Sequence, residues 1–157
     1  MRKINFLNRL KKEGKLGIVE ASEDVGESYK AKSESYINSS KLLLENQKLE
    51  ESVSLAYYSM YYILLSLFFK VGIKCENHSA SIIILKEVFG VDNKDISYAK
   101  TERVDKQYYV NFKVSKEDVE DLIKKAENFI RNLTDFISKL NSEKIGSYRK
   151  KLEEIYD

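Results

Sequence analysis

The stretch SVSLAYYSMYYILLSLFFKVGIKCENHSASIIILK, residues 52–86, decides how this chain folds. Between Ser52 and Phe69 no position is charged, and four positions are tyrosines: Tyr57, Tyr58, Tyr61 and Tyr62. Val53, Ala56, Tyr57, Met60, Leu64, Leu67, Phe68 and Val71 make one stripe at helical spacing, with Tyr58, Tyr61, Tyr62, Leu65 and Phe69 as a second stripe beside it. A helix that is apolar most of the way round has to be covered on most sides, as the central rod of a bundle or as a membrane span. The run only just reaches the ~18 residues a span requires. Ser54, Ser59, Ser66 and the four phenols favour a protein interior, where hydroxyls find partners. The expectation is a central core helix with no membrane as partner.

Gly72 follows as the residue that ends this helix, because it tolerates positive φ. The loop IKCENHS then leads to a short apolar helix over about 79–89, closed by Gly90. Upstream, Ser22 to Gly26 is a polar, acidic approach to a helix striped by Tyr29, Ser33, Tyr36, Ile37, Ser40, Leu43 and Leu44. Ser33 and Ser40 are small enough to let that helix lie close against the tyrosine-rich one. Residues 46–50 turn the chain, and Glu50 and Glu51 suit the positive start of the central helix.

Downstream, Asp92 and Asp95 read as caps for a helix from about Asn93 to Val110. Its buried side, marked by Ile96 and Ala99, continues with Arg103, Gln107 and Val110. Ser115 and Asp118 open the last main helix with a near-capping-box signal. That helix keeps its period from Val119 through Leu122, Ile123, Ala126, Phe129 and Leu133 to Leu140, and Glu120–Lys124, Asp121–Lys125 and Glu127–Arg131 supply i,i+4 pairs outside.

At the N-terminus, Ile4, Leu7 and Leu10 give a short amphipathic helix within residues 1–20, with Arg2, Lys3, Arg9, Lys11 and Lys12 on its other face. Those charges suit a solvated face on a docked helix better than a nucleic-acid arm. A charged tail helix over 141–157, broken at Gly146, ends the chain. No strand pattern or repeat is visible. The fold class expected is all-α: one domain over 1–157, an up-and-down bundle of four to five main helices.

Composition agrees. The 157 residues suffice for one core. There is no proline and there are six glycines, which suits long helices with short connections. A net charge of +2 argues against an indiscriminate polyanion binder while leaving room for a local basic patch. One cysteine, Cys75, cannot form an internal disulfide, and the basic start has no apolar run behind it, so a cytoplasmic location is expected. There is no P-loop, dinucleotide glycine turn or nucleophile elbow, and one histidine with one cysteine cannot build a conventional zinc site. No metal and no cofactor are expected.

Chemistry then rests on a few residues. His78, the sole histidine, stands at a helix start beside Ser79, where free backbone N–H groups attract phosphate and an imidazole can act as acid or base. From local sequence the plainer role, with Asn77 or Ser79 capping the helix and His78 packing locally, is the favoured one, since Asn and Ser are ordinary caps. Arg103 is one of only five arginines against 22 lysines, and it sits on the inward side of its helix. It needs either a carboxylate, such as Glu102 or Asp105, or an anionic ligand. Tyr108 and Tyr109 offer rings for a nucleobase.

The segments AYYSMYYILLSLFFKVGIKCENHSASIIILKEVF, TERVDKQYY and VSKEDVEDLIKKAENFI together resemble the HEPN domain (higher eukaryotes and prokaryotes nucleotide-binding), in the branch with a tyrosine-rich central helix, a glycine and a "THSG"-like loop. The similarity covers about residues 29–137 and lies in the order of several weak motifs. It implies a helical bundle that commonly forms homodimers and is often encoded beside a minimal nucleotidyltransferase as a toxin–antitoxin pair. Many such proteins are metal-independent ribonucleases with an Arg-x(4–6)-His motif. Here the counterpart is Arg103-Val104-Asp105-Lys106-Gln107-Tyr108, with tyrosine in the histidine's place. A ribonuclease would therefore need His78 to reach Arg103 in space. The resemblance implies His78 and Arg103 as the catalytic pair and Ser79, Tyr108 and Tyr109 as nucleotide- or RNA-binding residues. It also leaves open a non-enzymatic partner of a nucleotidyltransferase.

Overall fold

The computed structural model describes residues 1–108 and 113–155, with only the backbone of 105–108. Helix α1 (Arg2–Lys12) and strand β1 (Leu16–Ile18) lead into α2 (Glu23–Glu45), α3 (Leu49–Val71) and strand β2 (Ile73–Cys75). After these come α4 (His78–Glu87), α5 (Lys94–Tyr108), α6 (Lys116–Ser138) and α7 (Ser142–Ile155). The class is all-α, as expected, with α3 at the centre.

Helix α3 is long and apolar enough to cross a membrane by composition, but 67% of its most apolar window is buried by the rest of the chain. Tyr57, Met60, Leu64, Leu67, Phe68 and Val71 are fully enclosed. Helix α2 packs closely along α3 because serines stand at the contact. Ser33 Oγ donates to the Ser59 carbonyl at 2.6 Å, and Ser66 Oγ donates to the Gly26 carbonyl at 2.7 Å. Ser40 and Ser52 each donate to the other's carbonyl at 2.7 Å. Each hydroxyl satisfies itself on a neighbouring backbone, so the helices approach without orphaning a polar group. Helix α6 covers another side with Val119, Leu122, Ala126, Phe129 and Leu133, and opens with the full Ser115–Asp118 capping box.

Three expectations are corrected. The chain contains strands: β1 and β2 pair antiparallel, Leu16 with Cys75 and Ile18 with Ile73. Three-residue strands are too short to print a period-two pattern. Helix α7 runs through Gly146 unbroken, since a single glycine costs only about 1 kcal/mol and Leu152, fully buried, anchors the helix. On α6, Glu127 pairs across to Lys41 of α2 at 3.0 Å, while Arg131 donates to Asn128 and Lys125 lies over the Tyr98 ring. Helix α1 is docked by buried Leu7 and Leu10, with its basic residues outside.

Gly72 ends α3 in the left-handed region at φ +86°. A Cβ there would collide with the Arg149 guanidinium and the Val19 carbonyl. Arg149, from α7, donates to the carbonyls of Val19 at 2.9 Å and Val71 at 3.0 Å. It supplies donors and positive charge to the C-terminus of the core helix.

Candidate functional site

The site forms where the starts of α4 and the inner face of α5 meet the tyrosines of α3. Asn77 caps α4, its side chain accepting from Ala80 N–H at 2.9 Å, and Ser81 N–H bonds the Asn77 carbonyl. That cap fixes His78 as the first helical residue and turns its ring onto α3. The imidazole stacks on Tyr61, centroids 3.8 Å apart and planes 18° apart, and its Nδ1 lies 2.8 Å from the Tyr57 hydroxyl. The capping role thus falls to Asn77, while Ser79 is half-buried on the first turn of α4.

Arg103 arrives from the other side. Ile96 and Ala99 are fully buried, and Arg103 follows them at i+7 and i+4 on the same face of α5. Its guanidinium carbon lies 4.8 Å from the Tyr58 ring centroid and 5.7 Å from that of Tyr57. Its Nε is buried and has no hydrogen-bond partner among the described residues. The faces of Tyr57 and Tyr58 hold the Arg103 guanidinium at the site.

The two residues therefore meet the same ring, Tyr57, within one chain. Burial, then the Arg103 charge, then Lys100 hold the His78 imidazole below its ordinary pKa. A neutral ring at neutral pH follows. Burial pushes the Tyr57 phenol well above its usual range, so it keeps its proton. A protonated phenol can donate to a bare Nδ1 or accept from Nδ1–H, so it can serve either neutral tautomer. With Nδ1–H directed at Tyr57, Nε2 is left as a base.

Tyr109 lies outside the described residues, and for Tyr108 only the backbone is described, as the last residue of α5. Tyr57, Tyr58 and Tyr61 were not singled out by sequence as site residues, since tyrosines at helical spacing in an apolar run read first as core. The available signal was a doubled tyrosine pair on the rod that must pass the only histidine. No group of three or more His, Cys, Asp or Glu able to hold a metal ion occurs among the described residues.

A search of curated proteins returns no match. The family model described as HEPN domain matches residues 27–139, from the first turns of α2 through the end of α6, and so takes in the tyrosine rod, His78 and Arg103 together. With most of its length matched and an all-α bundle around a central helix, the chain belongs to the HEPN family, whose members have nucleotide- or RNA-related functions.

Proposed function

We propose that this chain binds RNA or a nucleotide through its phosphate at the Arg103–His78 site. The observation that carries this reading is the Arg103 guanidinium laid over Tyr57 and Tyr58, its Nε buried without a hydrogen-bond partner among the described residues, beside an imidazole bonded to Tyr57. A guanidinium with spare donors takes a phosphate bidentately. The first turn of α4, with Ser79, adds N–H groups of the kind that receive phosphate oxygens. Tyr108 and Tyr109 follow Arg103 in sequence and are assigned to the base or ribose.

The neutral His78 favours a second reading, a metal-independent ribonuclease. Nε2 takes the proton of a ribose 2′-hydroxyl while Tyr57 accepts from Nδ1–H. The 2′ oxygen bonds to phosphorus, the P–O5′ bond breaks, the departing 5′ oxygen takes a proton from solvent water, and the His78 imidazolium returns its proton to the hydroxide so formed. Products are a 2′,3′-cyclic phosphate and a 5′-hydroxyl. Arg103 neutralises the charge that builds on the non-bridging oxygens. In a cytoplasmic toxin–antitoxin or defence setting the chain would act as a homodimer, with a nucleotidyltransferase as antitoxin partner.

The test is RNA cleavage and RNA binding in EDTA by wild type, Arg103→Ala and His78→Ala. Loss of binding with Arg103→Ala, and loss of cleavage with retained binding for His78→Ala, is expected for a nuclease. Binding without cleavage in the wild type leaves the first reading alone. Absence of both, with a stable complex to a co-expressed nucleotidyltransferase, would make the chain a partner module and overturn the site.

A further inference from the structure

We infer that the ligand is an unpaired RNA strand several nucleotides long, led away from Arg103 along an aromatic seam between α2 and α3. The inference rests on the phosphate-binding reading of Arg103 and extends it. Most of α3 from Ser52 to Val71 is buried, but Tyr58, Tyr62, Leu65 and Phe69 are among the positions that stay partly exposed. Their i, i+4, i+7, i+11 spacing makes them one continuous seam. Helix α2 adds Tyr29 and Tyr36 to it.

The rings form a series. Phe69 stacks with Tyr29 at 5.2 Å and 10°, Tyr29 with Tyr62 at 5.9 Å and 25°, and Tyr62 with Tyr58 at 6.1 Å and 26°. Tyr58 lies against His78 at one end and beneath Arg103. At the other end, Tyr29 and Phe69 line a cleft of about 570 Å³ whose wall also includes Tyr61, the ring stacked on His78. Midway, the exposed Lys32 holds its ammonium 4.5 Å from the Tyr62 centroid and 5.8 Å from that of Tyr36.

A row of partly exposed rings with Arg103 at one end and Lys32 midway suits a polymer that alternates bases and phosphates. Tyr58 and Phe69 stand eleven positions apart on α3, about 16 Å along the axis. That length holds about three to five nucleotides at 3.4 Å each when stacked, and fewer when splayed.

The experiment compares 2′-O-methylated, unpaired oligonucleotides of two and eight nucleotides, which resist 2′-hydroxyl attack, by fluorescence anisotropy. Wild type should bind the octamer at least about tenfold more tightly than the dimer. Tyr29→Leu and Tyr62→Leu should each weaken the octamer about fivefold or more, with a smaller loss for the dimer. Lys32→Glu, on an exposed side chain, should weaken the octamer and lower the slope of its salt dependence by about one, with a thermal melt checking that the variant is folded. Equal affinity for the two lengths, indifference of the octamer to these substitutions, or a change in self-association alone would overturn the track. Arg103→Ala separates the two levels. If it leaves dimer binding intact, the phosphate site falls; if it abolishes dimer binding while the octamer gains nothing from length, the track alone falls.

Discussion

The hydroxyl of Tyr57, fully buried in the core helix, lies 2.8 Å from Nδ1 of His78, at the mouth of the site. A phenol that burial keeps protonated fixes the orientation of the ring without carrying charge into the interior. Tyr57→Phe should leave the fold within about 1 kcal/mol of wild type, the net worth of a typical hydrogen bond. If the chain cleaves RNA, the same change should lower kcat about 10- to 100-fold with little change in KM, since it frees the base to rotate. Steady-state kinetics beside a thermal melt separates the two effects.

His78 is the only histidine, so its ring protons give isolated signals in an NMR titration. We predict an apparent pKa below the ordinary value of about 6.5. Burial is the first cause and the Arg103 charge the second. Arg103→Ala should therefore raise the His78 pKa, whereas Lys32→Glu, at the seam, should move it less. A pKa at or above the ordinary value in the wild type would contradict the placement of Arg103.

The same depression sets a pH dependence of folding. His78 binds a proton more weakly in the folded chain than in the unfolded one. Stability gained from the neutral ring is therefore complete above the unfolded pKa of about 6.5 and is lost as pH falls through that value toward the folded one. Denaturant midpoints should decline from pH 7.5 to 5, and His78→Gln should flatten the portion of that decline which begins near 6.5.

Much of this was legible in sequence because burial leaves a periodic trace. The uncharged run of α3 and the stripe of α6 announce the bundle, and Ser33 and Ser40 announce the close α2–α3 contact. Ile96 and Ala99 indicated which way Arg103 turns. What stayed hidden depends on long-range meetings. The β1–β2 pair joins segments more than fifty residues apart, and neither is long enough to alternate. Arg149 looked like one more charge on a tail helix, yet it bonds carbonyls 78 and 130 residues away. That His78 and Arg103 share one tyrosine depends on how α4 and α5 fold back on α3, which no local pattern encodes.

Serine size, more than its hydroxyl, sets the distance between α2 and α3. Ser33→Ala removes one buried hydrogen bond to the Ser59 carbonyl and should cost about 1–2 kcal/mol. Ser33→Leu inserts a branched side chain where a backbone lies 2.6 Å from the native oxygen, and should cost about 3 kcal/mol or more. Chemical denaturation of both variants checks the order. Equal losses would mean that the hydroxyl, and not the space, is what the contact requires.

The end of the core helix offers a coupled test. Gly72 is left-handed and touches the Arg149 guanidinium, while Arg149 feeds the Val19 and Val71 carbonyls. Arg149→Ala strips charged donors from half-buried carbonyls and should cost about 1.5–3 kcal/mol. Gly72→Ala meets two penalties: a positive φ that a Cβ disfavours by about 1–2 kcal/mol, and displacement of the guanidinium. Once Arg149 is already alanine the second penalty disappears, leaving the backbone cost and the approach to the Val19 carbonyl. The double variant should therefore be more stable than the sum of the single losses predicts, by at least about 0.5 kcal/mol, as expected for residues in contact. Urea denaturation of the four proteins in the cycle measures that difference. Strict additivity would show that the two residues act independently, and the α7 guanidinium would then no longer account for how the core helix ends.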